Sequence, residues 1–134
     1  MKKFYRFIAL VTAVVLMAFA NTAIASTIIP RADTEFDSTA TVLKSSKSVS
    51  FRATTFELKD SISVTACWLE IKNSDGTWTT VCSLPVPSAV GTETISFSTS
   101  KDYSTYIGNG TYRVWATYTA DGHSISRCSN ERTF

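Results

Sequence analysis

The sequence predicts an all-β protein: a seven-stranded antiparallel sandwich, preceded by a helical signal peptide. Three observations carry this. Apolar and polar residues alternate with period two in short runs after residue 38, the spacing of strands with one buried face. Clusters of Gly, Pro, Asn, Asp and Ser break these runs at regular intervals. No stretch after Ser26 has the three-and-four apolar spacing of an amphipathic helix of useful length.

The chain has 134 residues. Residues 1–25 read as the signal peptide. Lys2, Lys3 and Arg6 form a basic start, "FIALVTAVVLMAFA" (7–20) an apolar centre, and "NTAIAS" (21–26) a small-residue recognition site. Cleavage is expected between Ala25 and Ser26. The apolar run falls short of the about 20 residues a transmembrane helix needs, so membrane contact is expected only during export. The full chain carries 13 Lys+Arg against 11 Asp+Glu. Removing the three leader bases leaves 10 bases and 11 acids, a net of −1. That balance offers no footprint for nucleic acid or an anionic membrane. Residues 26–37 read as a flexible arm, and residues 38–134 as one domain.

The strands follow in order. "STATVLK" (38–44) is the first. "SVSFRATTF" (48–56) is the second, with Val49, Phe51, Ala53 and Thr55 on one face. "SISVTACWLEIK" (61–72) is the third. "TWTTVCSL" (77–84) is the fourth, ended by Pro85 and Pro87, which cannot donate ladder bonds. "TETISFSTS" (92–100) is the fifth, with Ile95 and Phe97 on one face. "TYRVWATYT" (111–119) is the sixth and "SISRCSNERTF" (124–134) the seventh. "KNSDGT" (72–77) and "TADGHS" (119–124) supply hairpin turns, with Gly76 and Gly122 free to take positive φ.

"NGTYRVWATYTADGHS" (109–124) resembles the sixth strand and hairpin of immunoglobulin-like and fibronectin type III-like domains, with Tyr112 at the place of their corner tyrosine. "WLEIKNSDGTWTTV" (68–81) resembles their third and fourth strands. From leader through "IPRAD" (29–33) to the last strand, the chain resembles small secreted β-sandwich proteins of Gram-positive gut bacteria. The resemblance implies the fold and brings no activity with it. The second and sixth strands lack the cysteines of the immunoglobulin pattern.

In that architecture strands seven, six, three and four are neighbours in one sheet. Tyr112, Val114, Ala116 and Tyr118 then point inward with Leu69 and Ile71. Arg113, Trp115 and Thr117 point outward with Trp68, Glu70 and Lys72. A cross-strand Trp68–Trp115 pair can simply brace the sheet. It can also mark a contact surface, with Arg113 and Trp78 beside it. The partner expected there is an extracellular protein, or alternatively a glycan. A structural or assembly subunit is the remaining reading.

Cys67, Cys82 and Cys128 follow the leader. If Lys72 pairs with Thr77, Cys67 falls opposite Cys82 and a bridge is within reach. If Gly76 is instead a bulge residue, Leu69 faces Val81 and the two cysteines point to opposite faces. The first register gives the expectation: a Cys67–Cys82 disulfide, with Cys128 a free thiol. The cysteine spacing lacks the close pairs of a zinc site, so no metal or cofactor is expected. His123 reads as a solvated turn residue, and Glu35, Asp37, Glu57 and Asp60 as solvated loop charges. No nucleophile has a base at recognisable spacing. The expected activity is therefore non-enzymatic.

Overall fold

The computed structural model describes residues 35–134. The signal peptide, the Ala25/Ser26 cleavage site and the arm through residue 34 lie outside the described residues. The fold is all-β, with 70% strand and no helix among the described residues. Its strands are β1 (Phe36–Leu43), β2 (Ser48–Lys72), β3 (Trp78–Ser83), β4 (Val90–Asp102), β5 (Thr111–Ala120), β6 (His123–Cys128) and β7 (Arg132–Thr133). All pairings are antiparallel.

Seven strands were expected, and seven are present, but they are cut differently. The second and third expected strands are one 25-residue strand, β2. "ELKD" (57–60) contains neither Gly nor Pro, so nothing there breaks extended backbone. The extra residues are absorbed as a bulge: the pairing of β2 with β4 shifts between Thr54↔Ser96 and Lys59↔Thr94. Such a bulge bends a strand without ending it. It pushes Phe56 and Leu58 outward, 62% and 67% exposed. Ile95, opposite the bulge, is 50% exposed although Phe97 on the same face is buried. At the other end, the expected seventh strand divides into β6 and β7. Phe36, assigned to the arm by sequence, instead opens β1 and is buried.

β2 serves both halves of the fold. Residues 49–55 pair with β1 and residues 48–63 with β4. Residues 62–71 pair with β5 and residues 68–72 with β3. The neighbour order β6-β5-β2-β3 is the one expected from sequence. A second bulge at Thr65 moves the buried set of β2 from Ile62 and Val64 to Cys67 and Leu69.

The core joins side chains from parts of the sheet that share no ladder, the N-terminal half of β2 and β5. Val49, Phe51 and Ala53 of β2 are buried with Tyr112, Val114, Ala116 and Tyr118 of β5. The rings of Phe51 and Tyr118 meet edge-on at 6.5 Å. The fully buried Tyr118 hydroxyl donates to Ala40 O (2.7 Å) and bonds Thr41 Oγ1 (2.9 Å) on β1. Asn130 closes the free edge of β1, where Leu43 N donates to its Oδ1 (2.9 Å) and its Nδ2 donates to Leu43 O (3.1 Å). Buried backbone groups need such partners.

Both marked hairpins form. Gly76 (φ +85°) closes the β2–β3 turn, where Asp75 accepts from Thr77 N (2.9 Å) and Thr77 Oγ1 (2.6 Å). Those bonds favour the charged carboxylate and hold it below its ordinary pKa. Asp121 and Gly122, at φ +46° and +84°, form the two-residue turn between β5 and β6. Two consecutive positive φ values match the twist of the flanking strands.

Candidate functional site

The outer face of β3, β2, β5 and β6 carries the tryptophans. On β2 and β5, strict alternation buries Leu69, Tyr112, Val114 and Ala116. Trp68, Glu70, Arg113 and Trp115 are left on the other face. Register then sets them in rows. Ser83, Trp68, Trp115 and Cys128 lie side by side across the four strands. Thr80, Glu70 and Arg113 form the next row, and Trp78 and Lys72 the one beyond.

Trp68 and Trp115 stack, with ring centroids 5.8 Å apart and planes 7° from parallel. Their separation indicates the offset arrangement that aromatic quadrupoles prefer. Arg113 links this pair to Trp78. Its guanidinium carbon lies 4.2 Å from the Trp78 centroid and 5.8 Å from that of Trp115. Lys72 Nζ lies 5.6 Å from the Trp78 ring. All four nominated residues, Trp68, Trp78, Arg113 and Trp115, thus belong to one contiguous patch.

The sequence reading placed Glu70 on this face but gave it no role. It is the anchor of the site. Its Oε2 accepts from Arg113 Nε (2.6 Å) and from Trp115 Nε1 (3.1 Å). The Glu70 side chain is only 14% exposed, so these are well-shielded, charge-assisted bonds. The signal was available: opposite charges at directly facing cross-strand positions attract. Glu131 holds Lys72 at 3.0 Å. Two cations are therefore matched by two carboxylates, and the patch is electrically balanced.

The thiols correct one expectation. The Cys67–Cys82 bridge does not form: all three cysteines are free, and none lie at disulfide distance. Near the turn, Lys72↔Trp78, Ile71↔Thr79 and Glu70↔Thr80 follow the bulged-turn register. A further bulge at Val81 then sets Cys82 opposite Leu69. Cys82 returns to the core face, one step diagonally from Cys67, whose carbonyl accepts from Leu84 N (2.9 Å). Burial pushes the Cys67 thiol up to about 11, partly opposed by its hydrogen bond to Tyr103. Cys128 is half-buried beside Trp115. Burial raises its pKa, Arg113 opposes the rise and Glu70 adds to it.

His123 is exposed, as expected of its turn. Glu35 is not a solvated charge: it pairs with the buried ammonium of Lys59, and His123 Nε2 lies 3.9 Å from its other oxygen. Among the described residues no group of His, Cys, Asp and Glu side chains is placed to hold a metal ion. A shallow cleft of about 290 Å³ lies away from the tryptophans, lined by Ala40, Val42, Lys44, Ser50 and Arg52. It pairs no nucleophile with a base. Comparison with protein-family models, curated proteins and solved structures finds no match.

Proposed function

We propose that this chain is an exported, non-enzymatic immunoglobulin-like β-sandwich that binds a protein outside the cell through its tryptophan face. The sandwich reading draws support from β1 and β5, which share no ladder yet meet through Tyr118. It draws further support from Tyr112, whose hydroxyl donates back to Asn109 O at 3.3 Å, as corner tyrosines do.

The observation that carries the binding reading is the Trp68–Trp115 stack held by Arg113 and Glu70. Tryptophan and arginine are the residues most enriched in interface hot spots. Here they are pre-ordered, which lowers the entropy lost on binding. Sugar recognition would need an open aromatic face. The rings of Trp115 and Trp78 already have neighbours, in Trp68, Arg113 and Lys72. That favours a protein partner over a glycan.

The test pairs two measurements. Extracellular proteins retained by the wild-type chain are identified, purified and titrated against wild type, Trp115→Ala and Arg113→Ala. Binding lost in both variants, with the fold intact, supports the reading. A purified partner that binds all three equally would remove it. Tryptophan fluorescence titrated with oligosaccharides runs beside it, and a saturable shift there would assign the face to glycans instead.

A further inference from the structure

The outer face of β1 and the first half of β2 carries the cleft of about 290 Å³, lined by Ala40, Val42, Lys44, Ser50 and Arg52. Alternation sets this lining. Thr41, Leu43, Val49 and Phe51 are buried, so the residues between them face outward. Register arranges them in rows across β1, β2 and β4. Ala40, Arg52 and Ser98 form one row, and Val42, Ser50 and Ser100 the next. Lys44, whose N–H donates to Ser48 O (2.9 Å), follows the last residue of β1 and closes the cleft at that end. Small side chains make the floor, and the two long cations and the half-exposed Val42 make the walls.

Most cations among the described residues are occupied. Lys59, Lys72 and Arg113 pair with carboxylates. Lys47, Arg127 and Arg132 donate to backbone carbonyls. The side chains of Lys44 and Arg52 make no ion pair or hydrogen bond among the described residues. Lys101, the remaining cation, sits opposite the buried Val49 and so belongs to the other face. The row of Arg52 holds no acid, and neither does the row on each side of it. Asp102, opposite Ser48, accepts from Ser104 N (2.9 Å) and Ser104 Oγ (3.0 Å). Two unmatched positive charges therefore border one concavity.

We propose that this cleft binds a small organic anion with two carboxylates, one held by Arg52 and one by Lys44. A guanidinium is a planar fork that meets a carboxylate through two parallel bonds. Lys44 lies four residues beyond Ala40, the partner of Arg52, or about 13 Å along β1. The two charges thus stand at opposite ends of the cleft and suit a two-headed ligand. Between them Val42 offers the ligand's carbon chain an apolar contact, and Ser50 offers a hydroxyl. Phosphate is less well matched. Phosphate sites use converging backbone N–H groups, whereas here those groups lie in the plane of the sheet and serve its ladder. The volume is near the lower bound of about 300 Å³ for ligand pockets, which fits a chain of a few carbons. The cleft is apart from the tryptophans, so the site does not depend on the protein contact proposed for them.

Amide chemical shifts of the isotope-labelled chain, titrated with succinate or adipate at constant ionic strength, test this. Saturable shifts centred on Ala40, Val42, Ser50 and Arg52 are expected. Acetate reaches one cation only and should bind about tenfold more weakly than the better dicarboxylate, with inorganic phosphate no tighter than acetate. Arg52→Gln and Lys44→Gln should each weaken dicarboxylate binding about fivefold. Arg52→Lys keeps the charge, loses the fork and should weaken it too. Both side chains are exposed, so the variants should keep the wild-type spectrum away from the cleft. No saturable shift with either dicarboxylate, shifts centred elsewhere, or equal binding of acetate or phosphate would each overturn the proposal. So would a Lys44→Gln/Arg52→Gln double variant that binds like wild type. Trp115→Ala should leave the titration unchanged, separating this cleft from the tryptophan face.

Discussion

Removing one oxygen from Tyr118 tests whether β1 and β5 are held together as described. The side chain is fully buried, and its hydroxyl contacts Thr41 Oγ1 at 2.9 Å and Ala40 O at 2.7 Å. Tyr118→Phe keeps the ring and its edge contact with Phe51. It deletes two hydrogen bonds, each worth about 1 kcal/mol net. Thr41 Oγ1 is left in a buried residue without its partner, a further cost of order 1 kcal/mol. The net loss is expected near 2 kcal/mol, allowing for partial relaxation. For a domain of this size that lowers Tm by roughly 8–16 °C. Urea unfolding followed by near-UV circular dichroism should show a lower midpoint at unchanged slope. Thr41→Val should recover part of the loss in the double variant, with a coupling of about 1 kcal/mol. A Tyr118→Phe protein within about 0.5 kcal/mol of wild type would refute the account, since a surface hydroxyl costs that little.

Three more expectations follow from the site and the core. Glu70→Gln should shift tryptophan emission and destabilise the fold by roughly 1–3 kcal/mol, because Arg113 and Trp115 lose a charged acceptor; an unchanged spectrum and midpoint would show that Glu70 anchors nothing. Thiol titration of the folded, reduced protein should find Cys67 silent until denaturant is added, while the half-buried Cys82 and Cys128 react slowly; prompt labelling of Cys67 would contradict its burial. Raising pH should destabilise the fold. Burial raises the pKa values of Cys67, Tyr103 and Tyr118 above their ordinary ones. Stability is therefore full below the unfolded thiol value near 8.5 and falls as pH climbs through about 10, where the unfolded phenols ionise. A urea midpoint that stays flat from pH 8 to pH 11 would refute this pH dependence.

The parts of the fold legible in the sequence are those governed by period two. β5 alternates without interruption, so its inward and outward sets could be read directly. Its Asp-Gly turn fixed the next hairpin, and alternation on β2 placed Trp68 beside Trp115. What escaped was every place where one strand carries an extra residue. The bulge after Thr54 hid the continuity of β2, because "ELKD" has the polarity of a turn but none of its backbone requirements. The bulged-turn register at Gly76, one of the two the sequence offered, took Cys82 off the position opposite Cys67; the bulge at Val81 then set it opposite Leu69 on the core face, and a valine announces no bulge. Ser129 divides β6 from β7, with its Oγ accepting from Val114 N (2.9 Å) and its N–H donating to Val114 O (2.7 Å). A side chain there takes over a ladder position, which no pattern of polarity encodes. Glu70 escaped for another reason: outward charges usually face water, and its shielding comes from tryptophans on two other segments.

The length of β2 also governs how this molecule comes apart. A single unbroken backbone serves as the middle member of each half, so neither half can melt and leave the other a complete partner set. Amide exchange at Phe51 and at Leu69, separated by the bend, should therefore report the same opening energy, equal to that of whole-chain unfolding.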